Sequence, residues 1–416
     1  MTTCGVDFGT SNSSVAISNA GLVSLVPVEQ EHLTIPSALF FQRKVYKPVY
    51  GREAIQFFFE RKEGRFMRSL KRVLGTSLMD HGTAVNGKVM KFEDIIASFL
   101  HHLKTKADAF AGEELQHVVM GRPVHFIDND RAGDSRAQHQ LHRIAQRVGF
   151  KHIEFQFEPI AAAFAHEVHV TGEQLAIVAD LGGGTSDFTV IRLSGQSIHK
   201  PDRTSDILAN TGVRIGGNDF DKDLSLSAIM PEIGYNTTYG EKSLGVPLKP
   251  FHDLAEWSKV NSLYNTKLKS QMQQLYYQSR DQLRFRRLLT VLEQETGHAL
   301  LAATEEAKIA LTAETVHNAA LHFIEDDLAI AIQRTHFEKS IEEHVQHITA
   351  CASQCLLQAQ VKATDIDLVI LTGGSTEVPV VQAGFKKLFP TASVADQNKL
   401  SSVGLGLAYD SHTKFR

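Results

Sequence analysis

Two short stretches of this chain offer the same chemistry far apart. Val6-Asp7-Phe8-Gly9-Thr10-Ser11-Asn12 stands near the N-terminus, and Val178-Ala179-Asp180-Leu181-Gly182-Gly183-Gly184-Thr185-Ser186-Asp187 returns to it in mid-chain. Each follows β-forming residues, ends the apolar run on a carboxylate, and turns through glycine into hydroxyl side chains. Such a turn suits a nucleotide polyphosphate. Its glycines let backbone N–H groups surround phosphate oxygens, and its carboxylates stand where a hydrated Mg2+ would sit, since magnesium prefers oxygen ligands and keeps its waters. A third loop, Thr372-Gly373-Gly374-Ser375-Thr376, follows the apolar run Asp367-Leu368-Val369-Ile370-Leu371. One glycine turn alone is a common feature. Three of them, each after a strand and each carrying Thr or Ser, point to a duplicated domain clamping one ligand, because open α/β sheets collect ligands beyond the carboxyl ends of their strands. A fourth element, Thr304-Glu305-Glu306-Ala307-Lys308-Ile309-Ala310-Leu311-Thr312, places Glu305, Lys308 and Thr312 on one helix face. Read alone it is a salt-bridged solvent face, and it could also meet a ribose or an adenine edge.

The elements that must position these loops alternate between strand and helix, the pattern of an α/β architecture. Cys4 to Phe8 and Ser14 to Ser18 read as antiparallel strands, and Ala38 to about Arg52 as extended chain. Asp94 to Phe110 reads as a helix with Ile95, Ile96, Phe99, Leu100 and Leu103 on one face. A strand at His117 to Met120 runs into Gly121-Arg122-Pro123, a helix covers Asp134 to Val148 and stops at Gly149, and a strand at Ile153 to Phe157 leads through Glu158-Pro159 to a helix at Ile160 to Val168. Strands at Leu175 to Ala179 and Asp187 to Arg192 flank the second glycine loop. Gly216-Gly217 opens a helix that Asn218 or Asp219 could cap. Asp253 to Leu311 reads as almost wholly helical, and Phe337 to Gln360 as one long helix.

Bulk properties set limits. The 416 residues suffice for two to four domains with real cores. With 43% hydrophobic and 22% charged residues the composition is that of a globular protein, not a disordered one. A net charge of −4 advertises neither nucleic acid nor an anionic membrane. No apolar run approaches the ~20 residues that span a bilayer, and Met1 to Asp7 lacks the regions of a signal peptide. Three cysteines make no disulfide framework, so the expectation is a cytoplasmic protein. Cys351 and Cys355, four apart, read as small apolar side chains of one helix face. The closest histidine groups are His101-His102, His139/His142 and His166/His169, and none carries a zinc-protease pattern.

Six motifs in order resemble the ATPase domain of DnaK-type heat-shock chaperones, within the actin and sugar-kinase superfamily. They are Val6 to Ser13, Glu158-Pro159-Ile160-Ala161-Ala162-Ala163, Asp180 to Asp187, Gly216-Gly217-Asn218-Asp219-Phe220-Asp221, Glu305-Glu306-Ala307-Lys308, and Leu371 to Thr376. The resemblance covers essentially the whole chain. The short YegD-like homologues, which share a turn like Gly121-Arg122-Pro123-Val124, look most similar. It implies an actin-like ATPase fold: two lobes with duplicated mixed sheets, inserted subdomains, and nucleotide in the interlobe cleft. Lobe I would take residues 1 to about 172 with an insertion at about 38–116, and lobe II residues 173–416 with a mostly helical insertion at about 218–315.

The resemblance also implies roles. Asp7 and Asp180 would hold the waters of Mg2+, with Asp187 beside the metal and a monovalent cation such as K+. Glu158 would lie near the attacking water, and Lys71, in Ser69-Leu70-Lys71-Arg72-Val73, would neutralise developing charge. Gly9, Thr10, Ser11, Asn12, Gly182, Gly183, Gly184 and Thr185 would hold the phosphates of ATP or ADP, with Gly216 and Gly217 nearby. Glu305, Lys308 and Thr312 would hold the adenosine, over Gly373, Gly374 and Ser375. The departures are as specific. The family's peptide-binding domain and acidic-leucine linker should follow, yet the sequence given stops at Tyr409 to Arg416, so the resemblance does not carry client binding of the usual kind over to it. Glu377 replaces an arginine that stacks on adenine, and Leu400 an aspartate. Residues from about Pro231 to Arg287 look longer and more basic than the family's equivalent. The expected function is a slow, Mg2+-dependent ATPase that acts as a chaperone-like switch on a protein partner, with no nucleic acid or membrane involved. Alternatives are a small-molecule kinase, with Asp128 or Asp130 as base, an actin-like filament protein, and a pseudo-ATPase that binds nucleotide without turnover.

Overall fold

The computed structural model describes residues 1–45, 47–60, 62–127, 130–167, 170–197, 200, 203–395 and 401–416. Asp128, Val168, His169 and Leu400, which the sequence reading invoked, lie outside them. The chain forms two units. One takes Met1–Gly216, His347–Thr376 and Val381–Arg416, the other Gly217–Gln346 and Glu377–Val380.

In the first unit, β1 (Thr2–Asp7) and β2 (Asn12–Asn19) form the expected antiparallel pair, followed by β3 (Leu22–Leu25) and β4 (Thr34–Pro36). β5 (Ala38–Gln42), β6 (Val49–Tyr50) and β7 (Gly64–Arg68) make a small separate sheet. Between β6 and β7 runs a helix the sequence reading lacked, α1 (Gly51–Phe59), in which only Gly51 and Ala54 are buried. So small a buried set leaves no apolar stripe to read. The hairpin β8 (Gly82–Val85) and β9 (Lys88–Lys91) precedes α2 (Phe92–Ala111). Then come β10 (His117–Arg122), α3 (Arg131–Arg147), β11 (His152–Phe157) and α4 (Glu158–Glu167). The first large sheet runs β11-β10-β1-β2-β3 with β4 also on β2, six strands in all. Glu158 and Pro159 form the first turn of α4, where proline needs no N–H partner, rather than a link before it.

The second large sheet repeats the design. β12 (Glu173–Leu181), β13 (Ser186–Ser194) and β14 (Ile207–Val213) are antiparallel neighbours, and with the later strands β19 (Leu368–Thr372) and β20 (Ser393–Ala395) the order is β14-β13-β12-β19-β20.

The second unit opens with α5 (Gly217–Leu224). This helix already includes Asn218 and Asp219, so neither can be its cap. The short hairpin β15 (Thr238–Tyr239) and β16 (Leu244–Gly245) leads to α6 (Lys249–Leu254), α7 (Thr266–Gln278), α8 (Gln282–Glu293) and α9 (Gly297–Ala313). A hairpin of β17 (Val316–Ala320) and β18 (Ala329–Gln333) follows. The long helix expected at 337–360 is two, α10 (Arg334–Ser340) and α11 (Glu342–Ala359), broken at the fully buried Ile341.

The chain closes with β19 (Leu368–Thr372), α12 (Pro379–Leu388), β20 (Ser393–Ala395) and α13 (Ser402–Lys414). Helices α4 and α13 pack tightly, and a Cβ on Gly406 would fall 1.6 Å from the Ala161 carbonyl oxygen. That close approach holds α4, and hence Glu158, against the first sheet. No described helix is long and apolar enough to cross a membrane.

Candidate active site

Four carboxylates gather about one ammonium group in the first unit. β1 ends at Asp7. The β12–β13 hairpin places Asp180 directly opposite Asp187, and Glu158 opens α4. Lys71 arrives on a single 3-10 turn, Leu70–Val73, entered through Ser69 in a left-handed conformation (φ 59°). Left-handed backbone is unfavourable for any residue with a Cβ, so this local strain is what delivers the lysine. Lys71 and Glu158 are 6% and 7% exposed, and the Lys71 Nζ donates directly to Glu158 Oε1.

The electrostatics follow from burial. Removal from water pushes the Asp7 carboxyl well above the usual range. Glu158 and Asp180 push it further, and Lys71 opposes. Asp180 is raised in the same way, by burial, then Glu158 and Asp187. Asp187 is raised to about 7, by burial first and Glu158 second, against the Thr185 side chain and the Val124 amide. Burial works to lower Lys71, but the carboxylates of Glu158, Asp7 and Asp180 outweigh it and its pKa rises. One cation thus faces more negative charge than it can balance. Asp187 shows the imbalance directly: Oδ1 accepts from the Val124 N–H at 2.8 Å, whereas Oδ2 is buried without a hydrogen-bond partner among the described residues.

The glycine loops frame this cluster. At Gly9 a Cβ would lie 2.0 Å from the Asn12 carbonyl oxygen, so the β1–β2 turn can close only on glycine. Ser37 fastens that turn, donating from Oγ to Gly9 O at 2.7 Å and from its amide to Ser11 O at 2.8 Å. The second loop closes between Gly182 N and Thr185 O at 3.0 Å. The two loops approach each other, since a Cβ on Gly184 would stand 3.0 Å from Thr10 Oγ1. Gly216 backs the second loop so closely that its Cβ would meet the Gly183–Gly184 peptide at 2.6 Å. The third loop joins them through Ser375 Oγ, which donates to Gly182 O at 2.9 Å. Gly373 there adopts φ 82°, and Gly374 begins a 3-10 turn.

In the second unit, α9 carries Glu305, Lys308 and Thr312. Lys308 is tied to the 2%-exposed Asp221, with Nζ 2.8 Å from Oδ1, and reaches Gly217 O at 3.4 Å. The Glu-Glu-Ala-Lys motif and the Gly217–Asp221 stretch of the Gly-Gly-Asn-Asp-Phe-Asp motif are therefore partners within one unit. Thr312 Oγ1 donates back to Ile309 O.

Other candidates are explained by structure alone. Asp130, considered as a kinase base, caps α3 by accepting from Gly133 N at 2.8 Å. Cys351 and Cys355 are buried on α11, and the Cys355 thiol donates toward Phe188 O and Ala209 O at 3.6 Å. His102 stacks on Tyr50, and His139 bonds the Ser135 carbonyl in its own helix.

Two contributors escaped the sequence reading. Ser37 left no signal. Arg122 did, in Gly121-Arg122-Pro123: its guanidinium lies between the Phe126 and Phe157 rings, 5.4 and 5.0 Å from their centroids. It donates to Pro123 O at 3.0 Å and Val124 O at 3.1 Å, and also to Gln138. It thereby holds the loop whose Val124 amide orients Asp187.

Clustered carboxylates, a buried lysine and facing glycine loops make an anion-and-cation site of the kind that phosphoryl transfer requires. The family model described as "Hsp70 protein" matches residues 3–238 and 281–413, most of the chain. On that match and this architecture, the chain belongs to the Hsp70 family, whose fold is that of the actin-like ATPases.

Proposed function

We propose that this protein is a slow, Mg2+-dependent ATPase working in the cytoplasm as a chaperone-like nucleotide switch on a protein partner. The observation that carries this reading is the Lys71–Glu158 pair set among Asp7, Asp180 and Asp187 beside facing glycine loops. The donor set suits magnesium, being all hard oxygen, over-negative and with one oxygen of Asp187 unpartnered. Asp7 and Asp180, with Asp187 beside them, would hold magnesium, which would supply positive charge to the phosphates; Asp187 would also stand beside a monovalent cation such as K+.

The protein's own groups supply the rest. Amides of Gly9 to Asn12 and Gly182 to Gly184, with the hydroxyls of Thr10, Ser11 and Thr185, hold the β- and γ-phosphates. Glu158 orients water, and Lys71 holds Glu158 while offering positive charge to the transferring group. Glu305, Lys308, Thr312, Gly373, Gly374 and Ser375 keep the adenosine roles implied by family resemblance, with Gly216 backing the phosphate loop and Gly217 accepting from Lys308. Loops whose order depends on the γ-phosphate make such a site a switch.

The test is phosphate release from ATP in Mg2+, with and without K+, by wild type and Lys71→Met. The variant should bind ATP within a few-fold of wild type but hydrolyse it at least ~100-fold more slowly, the size of loss typical for one preorganised electrostatic group. Unchanged hydrolysis removes Lys71 from the mechanism. Turnover that rises strongly with a sugar or polyol shows a kinase instead.

A further inference from the structure

Far from the carboxylate cluster in sequence, the β8–β9 hairpin builds a second site. Its turn is Asn86-Gly87, with φ 50° and 77°, the two-residue geometry that keeps a hairpin tight. Asn86 Nδ2 donates to Gln42 O at 3.1 Å and Val45 O at 3.2 Å, fastening the tip to the end of β5. Arg65 Nη2 on β7 donates to Thr83 Oγ1 on β8 at 2.9 Å, fixing the other end. Between hairpin and sheet lies a cavity of about 720 Å3.

Its lining is one-sided in charge. Phe41 and Val85, 3% and 4% exposed, form an apolar floor with Met90. Arg43, Lys44, Arg65 and Lys88 stand around it, and no carboxylate is among its described lining residues. In a chain with net charge −4, four cations gathered in one lining go against the average surface. Arg43 meets Glu63 at 2.8 Å, but both side chains are more than half exposed, so that pair is weak. Lys44 and Lys88 make no ion pair among the described residues. Among the described residues, β7 pairs only with β5 within its sheet, and β9 only with β8. Each therefore leaves one edge free of strand pairing.

We propose that this cavity receives an extended acidic segment of a partner protein. Its carboxylates face the cationic rim, and an apolar side chain between them reaches the floor. An extended segment alternates its side chains between faces, which suits a narrow floor below a charged rim. A bare phosphate would make no use of Phe41, Val85 and Met90. None of the residues assigned to nucleotide is involved, so the two sites fail or succeed separately.

The probe is a fluorescein-labelled octapeptide alternating glutamate with leucine, followed by anisotropy on the full chain. Saturable binding is expected, at least tenfold weaker in Lys44→Glu/Lys88→Glu and at least threefold weaker in the milder Lys44→Ala/Lys88→Ala. Raising NaCl should weaken it too, because exposed charges are screened. A peptide with serine for leucine should bind at least fivefold more weakly. Absence of saturation overturns the proposal, as does equal binding by both lysine variants. Equal binding of the serine peptide, with full competition by tripolyphosphate, would leave only an anion site and also refute it. Displacement by Mg-ATP would put the probe at the nucleotide loops and refute it as well.

Discussion

Asp187→Asn should stabilise this protein while damaging its site. Asp187 is 1% exposed, and its carboxyl is raised from the ordinary 3.8 to about 7 by burial, with Glu158 adding to it. A carboxyl whose folded pKa lies above its unfolded value binds protons more tightly when folded. Its contribution is therefore fully present below about pH 4 and is lost as pH rises through about 7. At 1.36 kcal/mol per pH unit, the ionised group costs the fold about 4 kcal/mol at pH 8. Asparagine removes the charge and keeps an oxygen for the Val124 amide, now 2.8 Å from Asp187 Oδ1. For 416 residues, an unfolding entropy of ~2.1 cal/mol/K per residue converts this to a melting shift of about 5 °C. Calorimetry without nucleotide or metal, from pH 5 to 8.5, provides the assay. The gain of the variant over wild type should grow between pH 5 and about 7 and level off above it, and Mg-ATP should stabilise wild type more than the variant. A gain independent of pH, or a variant less stable than wild type at pH 8, would refute the electrostatic argument.

Other outcomes follow from the same geometry. Gly9→Ala, whose Cβ would stand 2.0 Å from Asn12 O, should distort the first phosphate loop and cost about 1–3 kcal/mol; thermal melts and ATP titration would show both effects. Lys308→Ala takes the ammonium from the buried Asp221 and should cost about 3 kcal/mol. Adding Asp221→Asn should restore part of that stability but not nucleotide affinity, and full recovery of affinity would make Lys308 purely structural.

What the sequence made legible was local. A strand, a terminal carboxylate and a glycine turn lie within ten residues of each other, so the Asp7 and Asp180 loops could be read directly. The small-residue face that buries Cys351 and Cys355 was equally plain. Lys71 was legible only through the family resemblance: its partner Glu158 is 87 positions away, and the left-handed Ser69 that aims it has no signature of its own. Arg122 sat in a visible turn, yet its hold on the Val124 loop depends on Phe126, Phe157 and Gln138 meeting in three dimensions. Helix breaks were hidden for a related reason. Ile341 is a good helix residue by periodicity, and nothing in the local sequence marks its departure to φ −103° between α10 and α11. Propensity also failed at α1, where three consecutive phenylalanines disguise a helix that buries little.

The central claim is that Asp180, beside the facing glycine loops, holds magnesium for a bound nucleotide. Isothermal titration of wild type and Asp180→Asn with ATP and with ADP, each in Mg2+, tests it most directly. Saturable binding to wild type, at least tenfold weaker in the variant and equally weakened in wild type by removing Mg2+, is the predicted result. Equal binding by the two proteins, or no binding to wild type, would contradict it.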